Sequence, residues 1–417
     1  MSPVLPFDII ELIIKAVGGN EDTNLLKELA LVSHSFHQIC SKHLFATIEL
    51  DAASVPRRHA ASSKKRFVEL LNSRPDVVKH IRELRYTISC DDSSNFDNED
   101  DLFSPILSNF LRTIPSLNYL RITSLMTSSD WNELNPSLTS TFLHLMHLPT
   151  VNHIDLSFIG NFPLSSFTPS VNLHRLDISR VGPPDPIQVR EDGSLLFVQS
   201  GMMPKLREFH ISCSDLMAKQ MLLAKGQDGR PAFNFMDLVR LWMPFVKLED
   251  VWNTRYALEN ARLLEKLHLH LGVVSNRSLV ELHDILSRRA RTLKFLDLAV
   301  SLYNKRTSVL LGGICEELEA LAGHNMLEAL SFIVYFDGHE TEDLIGSIIQ
   351  KVEGVLVKPG WFALRKVSFK LEVSFWTMAA ERDGLTKLSE SLLSLPDKYL
   401  SYLSKLDSVA FDYSVEV

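Results

Sequence analysis

Residues 264–269 read Leu264-Glu265-Lys266-Leu267-His268-Leu269, with three apolar side chains set among charged and polar ones. The last two apolar positions are two apart. In an extended chain they therefore share one face, and His268 takes the other. The same apolar-x-x-apolar-x-apolar spacing recurs at Ile81-Leu84-Tyr86, Leu117-Leu120-Ile122, Val151-Ile154-Leu156, Leu173-Leu176-Ile178 and Leu206-Phe209-Ile211. It continues at Leu238-Leu241-Met243, Leu293-Leu296-Leu298, Leu327-Leu330-Phe332, Leu364-Val367-Phe369 and Leu406-Val409-Phe411. One such hexad says little in a chain that is 45% hydrophobic, but a long series of them is hard to reach by chance. Runs such as Ser331-Phe332-Ile333-Val334-Tyr335-Phe336 and Val367-Ser368-Phe369-Lys370-Leu371 are rich in β-branched and aromatic residues. They favour strands over the rival reading, an array of helix pairs.

Most gaps between hexads hold a helical pattern. Leu279, Leu282, Ile285 and Leu286 share a face within Ser278 to Leu293, as do Leu344, Ile345, Ile348, Ile349 and Val352 within Glu342 to Val357. A strand followed by a returning helix, repeated, predicts a right-handed α/β solenoid, leucine-rich-repeat-like. The hexads start 22 to 42 residues apart, mostly longer than standard repeats, and the usual Asn or Cys that follows is missing. Two long connections are expected at Gly182 to Gly201 and Gly226 to Phe233.

The chain has 417 residues, 23% of them charged, a formal net charge of -8 and a pI near 6.0. No basic surplus points to nucleic acid. Cys40, Cys90, Cys213 and Cys315 are scattered, without C-x-x-C, and read as reduced, buried thiols. Asp8 and Glu11 interrupt the apolar stretch from Val4 to Val17, and no run approaches the ~18 apolar residues of a membrane span. These features predict a soluble chain of the cytoplasm and/or nucleus with no nucleic-acid or membrane partner.

Few residues stand in a pattern that chemistry would need. The acidic run from Asp91 to Asp101 puts Phe96 where a calcium loop needs Gly, and Leu102 where it needs Glu, and reads as a solvated loop. His268 and His270 share a strand face but have no third ligand nearby in sequence. Arg57, Arg58 and Lys64-Lys65-Arg66 suggest either a split nuclear signal or a solvated linker and helix start. No nucleophile elbow, zinc-protease motif, P-loop or dinucleotide fingerprint is present, so neither enzyme activity, metal nor cofactor is expected.

At the N-terminus, Ile9, Ile10, Ile13, Ile14 and Val17 recur at helical spacing after Pro6, and Gly18-Gly19-Asn20 stops the helix. A second apolar stretch runs from Leu25 to Phe36 and a third from Ile39 to Phe45. Ala52 to Ser63 reads as a linker, with helical periodicity resuming from Lys64 to Leu71. The stretch Leu5-Pro6-Phe7-Asp8-Ile9-Ile10-Glu11-Leu12-Ile13-Ile14 resembles the opening of the F-box. Leu29-Ala30-Leu31-Val32-Ser33-His34-Ser35-Phe36 is similar to its second signature, with Phe36 where many members carry Trp, and His43-Leu44-Phe45 to its close. Gly18 to Asp22 replaces the usual Leu-x-Pro-x-Asp connection. Phe67 to Pro75, leading to Val78 through Leu84, resembles a repeat start common in fungal, basidiomycete-type F-box proteins. The expected organisation is an F-box-like all-helical unit over 1–50, a linker and capping helix over 51–80, and the solenoid over 81–417.

The resemblance implies a partner, a Skp1-like adaptor and through it the cullin of an SCF-type ubiquitin ligase, with an unidentified protein substrate on the repeats. A unit this small cannot bury all its apolar residues. Leu5, Pro6, Ile9, Ile13, Leu31, Val32 and Phe36 are therefore the expected adaptor contacts. The strand positions between the apolar pairs are the expected concave, substrate-facing surface. Chief among them are Tyr119, Arg121, Arg175, Asp177, His210, Arg240, Trp242, His268, His270, Phe295 and Asp297, with Trp242 the leading candidate hot spot. The alternative is a ligase-independent interaction scaffold whose N-terminal helices only cap the repeats.

Overall fold

Period-two alternation has one physical outcome: a strand with one dry face and one polar face. In the ten hexads whose three apolar residues are all described, each of those residues is no more than 6% exposed. The structure, a computed structural model, describes residues 7–19, 23–50, 60–89, 103–125, 129–184, 195–196, 204–225, 230–246, 248–271, 282–287, 291–301, 307–336, 342–373, 390–400, 402–403 and 409–416. The chain divides into two compact units, residues 1–204 with 223–233 and residues 205–222 with 234–417.

The first unit opens with three helices, α1 (Phe7–Gly19), α2 (Thr23–Ala30) and α3 (His34–Leu44). The expected apolar stretch from Leu25 to Phe36 is thus broken. Ser33 leaves the helical conformation and its side chain accepts a hydrogen bond from the Phe36 amide at 3.3 Å, capping α3. There follow β1 (Thr47–Leu50), α4 (Ala60–Ser73), β2 (Glu83–Ile88), α5 (Phe103–Arg112), β3 (Tyr119–Ser124), α6 (Pro136–Met146), β4 (His153–Ser157) and β5 (Arg175–Ser179). These five strands lie side by side, parallel and in sequence order. Helix α4 begins at Ala60, inside the expected linker, and the side chain of Lys64 is buried with its ammonium 4.4 Å from the Tyr86 ring centre.

The second unit runs β6 (Glu208–Ser212), α7 (Asp215–Leu223), β7 (Arg240–Phe245), α8 (Leu248–Asn260), β8 (Lys266–Leu271), α9 (Leu282–Ser287) and β9 (Phe295–Ser301). It continues with α10 (Thr307–Leu321), β10 (Ala329–Phe336), α11 (Glu342–Leu356), β11 (Lys366–Val373), α12 (Leu395–Tyr399) and β12 (Ala410–Glu416). Its strands are again parallel and in sequence order. The fold is mixed α/β. No helix among the described residues is long and apolar enough to cross a membrane.

Hexad pairs with hexad as far as β11, whereas Val367 meets Phe411, two residues beyond its expected partner Val409, which lies just before β12. Leu84 sits opposite Leu120, Leu120 opposite Ile154 and Ile154 opposite Leu176. In the second unit the row runs Phe209, Leu241, Leu267, Leu296, Leu330, Val367 and Phe411. Nine strands, β2 to β5 and β7 to β11, are entered in one way. The amides of the first strand residue and the residue before it both donate to one carbonyl of the preceding strand's entry. Asn152 and His153 do so to Asn118 at 3.1 Å, Lys294 and Phe295 to Glu265 at 2.9 Å. A register slip would break this bond pair and turn the whole apolar row outward.

Phe45-Ala46-Thr47-Ile48-Glu49-Leu50 is a further hexad, assigned by the sequence reading to the end of the helical segment. Ile48 pairs with Leu84 and Leu50 with Tyr86, so β1 joins the strand array within the span expected to be all-helical. Part of the expected loop from Gly182 to Gly201 forms a two-residue strand, Leu195–Leu196, beside Ala224–Lys225. The rest of that loop beyond residue 184, the acidic run 91–101, and Leu5 and Pro6 lie outside the described residues. One glycine pair is obligatory. The Gly323 amide donates to the Gly360 carbonyl at 2.8 Å, and a Cβ on Gly360 (φ +121°) would lie 2.6 Å from that same nitrogen.

Candidate functional site

Three short helices enclose little volume, and the core they share is small: Ile14, Leu26, Ile39 and Cys40, with Ile10, Leu29, Ala30, Phe36 and Leu44 packed partly against it. Phe36 therefore works mainly inward. The remaining apolar residues face out: Ile9, Leu12 and Ile13 on one side of α1, and Leu31 and Val32 in the turn between α2 and α3, at 87% and 66% exposure. Leu12 was missing from the expected contacts. Its i, i+3, i+4 relation with Ile9 and Ile13 is the signal that identifies it.

On β2 to β5 the polar faces form a ladder of alternating charge. Tyr119 donates its hydroxyl to Asp155 at 3.1 Å, and Arg121 approaches the same carboxylate at 3.4 Å. Asp177 takes His153 at 2.8 Å and the Arg175 guanidinium at 3.0 Å. The Tyr119 and His153 rings lie 4.4 Å apart. Burial, then the charge and hydrogen bond of Asp155, push the Tyr119 phenol far above its ordinary range, so it stays a donor. Tyr119, Arg121, Arg175 and Asp177 are thereby brought together in one preorganised network. His153 and Asp155, which bind it, are as central as the expected four.

The second unit presents a different chemistry. Trp242 on β7 packs its indole over His268 on β8, ring centres 3.6 Å apart, and meets His210 on β6 edge-on at 4.8 Å. Asp297 on β9 holds Lys266 at 2.8 Å and lies 3.8 Å from His268. His268, expected on an open face, is 3% exposed. The register sets the large indole directly beside it, and a ring flanked by strands on both sides has no room to escape. Trp242 and Phe295 remain exposed, and Arg240 pairs with Glu208 at 3.2 Å. His270, on the same face as His268, meets Ser301 at 2.8 Å and stacks on Tyr335, residues that only the strand register brings near. The described residues hold no cluster of three or more His, Cys, Asp or Glu suited to a metal ion.

Two titrations on this face act in one direction. Burial, then the neighbouring His268, hold the His270 pKa below its usual 6.5. Protonation there favours the unfolded chain, so stability present above about pH 6.5 falls as the pH drops through it. Burial raises the Asp297 carboxyl, but the neighbouring His268 and the Lys266 ammonium outweigh it and hold the group low. Its contribution is present above about pH 4 and is lost on further acidification. Denaturant midpoints are expected to decline between pH 7 and pH 5 less steeply for His270→Gln than for the unsubstituted chain. Equal slopes would remove His270 from that account.

The described cysteines are unpaired. Cys40 is buried and Cys315 half-buried, with burial pushing both thiols up, whereas Cys213 is exposed at a positive φ of 49°. Cys213 thus departs from the expected buried thiol because its strand has just ended and the chain turns there. Cys90 lies outside the described residues.

No family model matches the chain, and no curated protein matches it. Among solved structures it is similar to a Bacteroides fragilis protein determined as a structural-genomics target, at 12% identity over 86% of this chain and 85% of that one. The TM-score is 0.33, too low for that likeness to carry an argument about fold or function.

Proposed function

We propose that this chain is a substrate-recognition subunit of an SCF-type cullin-RING ubiquitin ligase, an adaptor rather than an enzyme. Helices α1 to α3 form the F-box and dock a Skp1-like adaptor. The strand-and-helix units that follow form a leucine-rich-repeat-like solenoid that holds the target protein on its polar strand faces. The observation that carries this reading is the apolar surface left open on a very small helical unit: Leu31 and Val32 in the α2–α3 turn, with Ile9, Leu12 and Ile13 on α1. Residues of this size exposed at a turn cost solubility unless a partner covers them. Their positions coincide with the Leu-Pro opening and the second signature of the F-box resemblance. On the strand faces, exposed Trp242 and Phe295 beside arginine and lysine have the composition of binding hot spots.

The test is capture of a Skp1-like adaptor by the full chain. The unsubstituted protein is expected to retain the adaptor. Val32→Asp, which puts a charge into the dry centre of the contact, is expected to lower recovery by at least tenfold, about 1.4 kcal/mol or more. Val32 is exposed, so the thermal midpoint should stay unchanged. Equal recovery of both proteins, or of neither, would sink the proposal.

A further inference from the structure

Strands β7 to β11 each have a hydrogen-bonded neighbour on both sides. Strand β12 pairs with β11, and no other described strand lies along its second edge. Its apolar row is correspondingly unfinished. Val367, Phe369 and Leu371 on β11 are at most 1% exposed, while their partners Phe411, Tyr413 and Val415 are only half-buried. The Ala410 amide donates to the Arg365 carbonyl at 2.7 Å, which sets the phase of the ladder. Backbone groups alternate along a parallel strand, so Phe411, Tyr413 and Val415 turn their N–H and C=O groups away from β11.

We propose that this edge pairs antiparallel with β12 of a second copy of the chain, about a two-fold axis through Tyr413. In that register the three residues with outward backbone groups oppose one another. Tyr413 meets its own counterpart and Phe411 meets the other copy's Val415, giving about six backbone hydrogen bonds. The same pairing places the half-buried apolar rows of the two copies side by side, so each completes the other's core. On the polar face Asp412 falls opposite Ser414, and Glu416 opposite Ala410, so no carboxylate faces a carboxylate. Asp412 and Glu416 are in addition already engaged, by Lys366 at 3.5 Å and Lys370 at 2.9 Å. Two copies thus pair without a direct like-charge clash, and each supplies the apolar row that the other lacks, which favours a second copy as the occupant. The proposal uses no residue of α1 to α3, so it stands or falls independently of adaptor binding.

The full chain, analysed by light scattering after size exclusion at about 100 μM, is expected to be a dimer. Val415→Pro is expected to yield a monomer with an unchanged circular dichroism spectrum, because that amide points away from β11 and its loss breaks no bond within the chain. Should this variant unfold, Tyr413→Cys in a Cys213→Ser background decides. Paired residues of this kind have Cα atoms about 5.5 Å apart, within disulfide reach, so oxidation should cross-link the dimer in high yield. A monomer at that concentration overturns the proposal. So does a dimer that a folded Val415→Pro protein retains, or one that Tyr413→Cys fails to cross-link.

Discussion

Phe369→Ala is expected to destabilise the second unit by about 4 kcal/mol, read as a large fall in the denaturant midpoint at unchanged slope. Phe369 is 1% exposed at the centre of β11. Its ring stacks on Phe332 with centroids 4.9 Å apart and planes 14° apart, and approaches Phe411 at 6.1 Å. Truncation to Ala forfeits the transfer energy of the ring and leaves a cavity between two neighbouring strands that cannot close over it. The aromatic contacts add about 1 kcal/mol beyond burial. Against a total stability of roughly 5–15 kcal/mol, the loss is a large share. Phe369→Leu keeps most of the volume and should lose less than half as much. Similar midpoints for the two variants would show that the site collapses around the smaller residue.

Glu353→Ala is expected to cost about 3 kcal/mol and to loosen the chain after α12. Glu353 on α11 is 5% exposed, and one of its carboxylate oxygens accepts the backbone amides of both Tyr402 and Leu403, at 2.8 and 2.9 Å. Removing it leaves the buried Leu403 N–H and the partly buried Tyr402 N–H without their acceptor, the expensive side of hydrogen-bond energetics. Glu353→Gln keeps an oxygen at the same reach and should recover at least half of the loss. Hydrogen exchange at Tyr402 and Leu403 checks the local effect. Protection unchanged in Glu353→Ala would sever this contact from the stability of the segment. The carboxylate lies some fifty residues from its partners in sequence, so no local pattern around Glu353 marks it.

That contrast recurs across the molecule. The strand positions were legible because period-two alternation is local: Leu267 and Leu269 share a face wherever the strand goes. The rule is also what hid β1, since Phe45, Ile48 and Leu50 fit both the hexad and the end of a helical unit. Only pairing with Leu84 and Tyr86 decides between them. The polar faces were legible as faces but not as sites. His268 and Trp242 carry the same alternation signal, yet one is 3% exposed and the other 36%. The difference is set by ring packing across strands, which needs the register. The network of Tyr119, Arg121, Asp155, His153, Asp177 and Arg175 likewise joins three strands that are far apart in the chain.

By itself, then, the amino-acid order determined where most strands and helices lie, which side of them is dry, and that three N-terminal helices carry more apolar surface than they can bury. These follow from short-range periodicity and from the small volume of a short helical unit. The tertiary structure alone decided which polar residues meet, that His268 is covered, that Phe36 turns inward while Leu31 and Val32 stay open, and that β12 ends with a half-covered apolar row. Each depends on which element comes to lie beside which, and that is settled by long-range pairing rather than by any local run of residues.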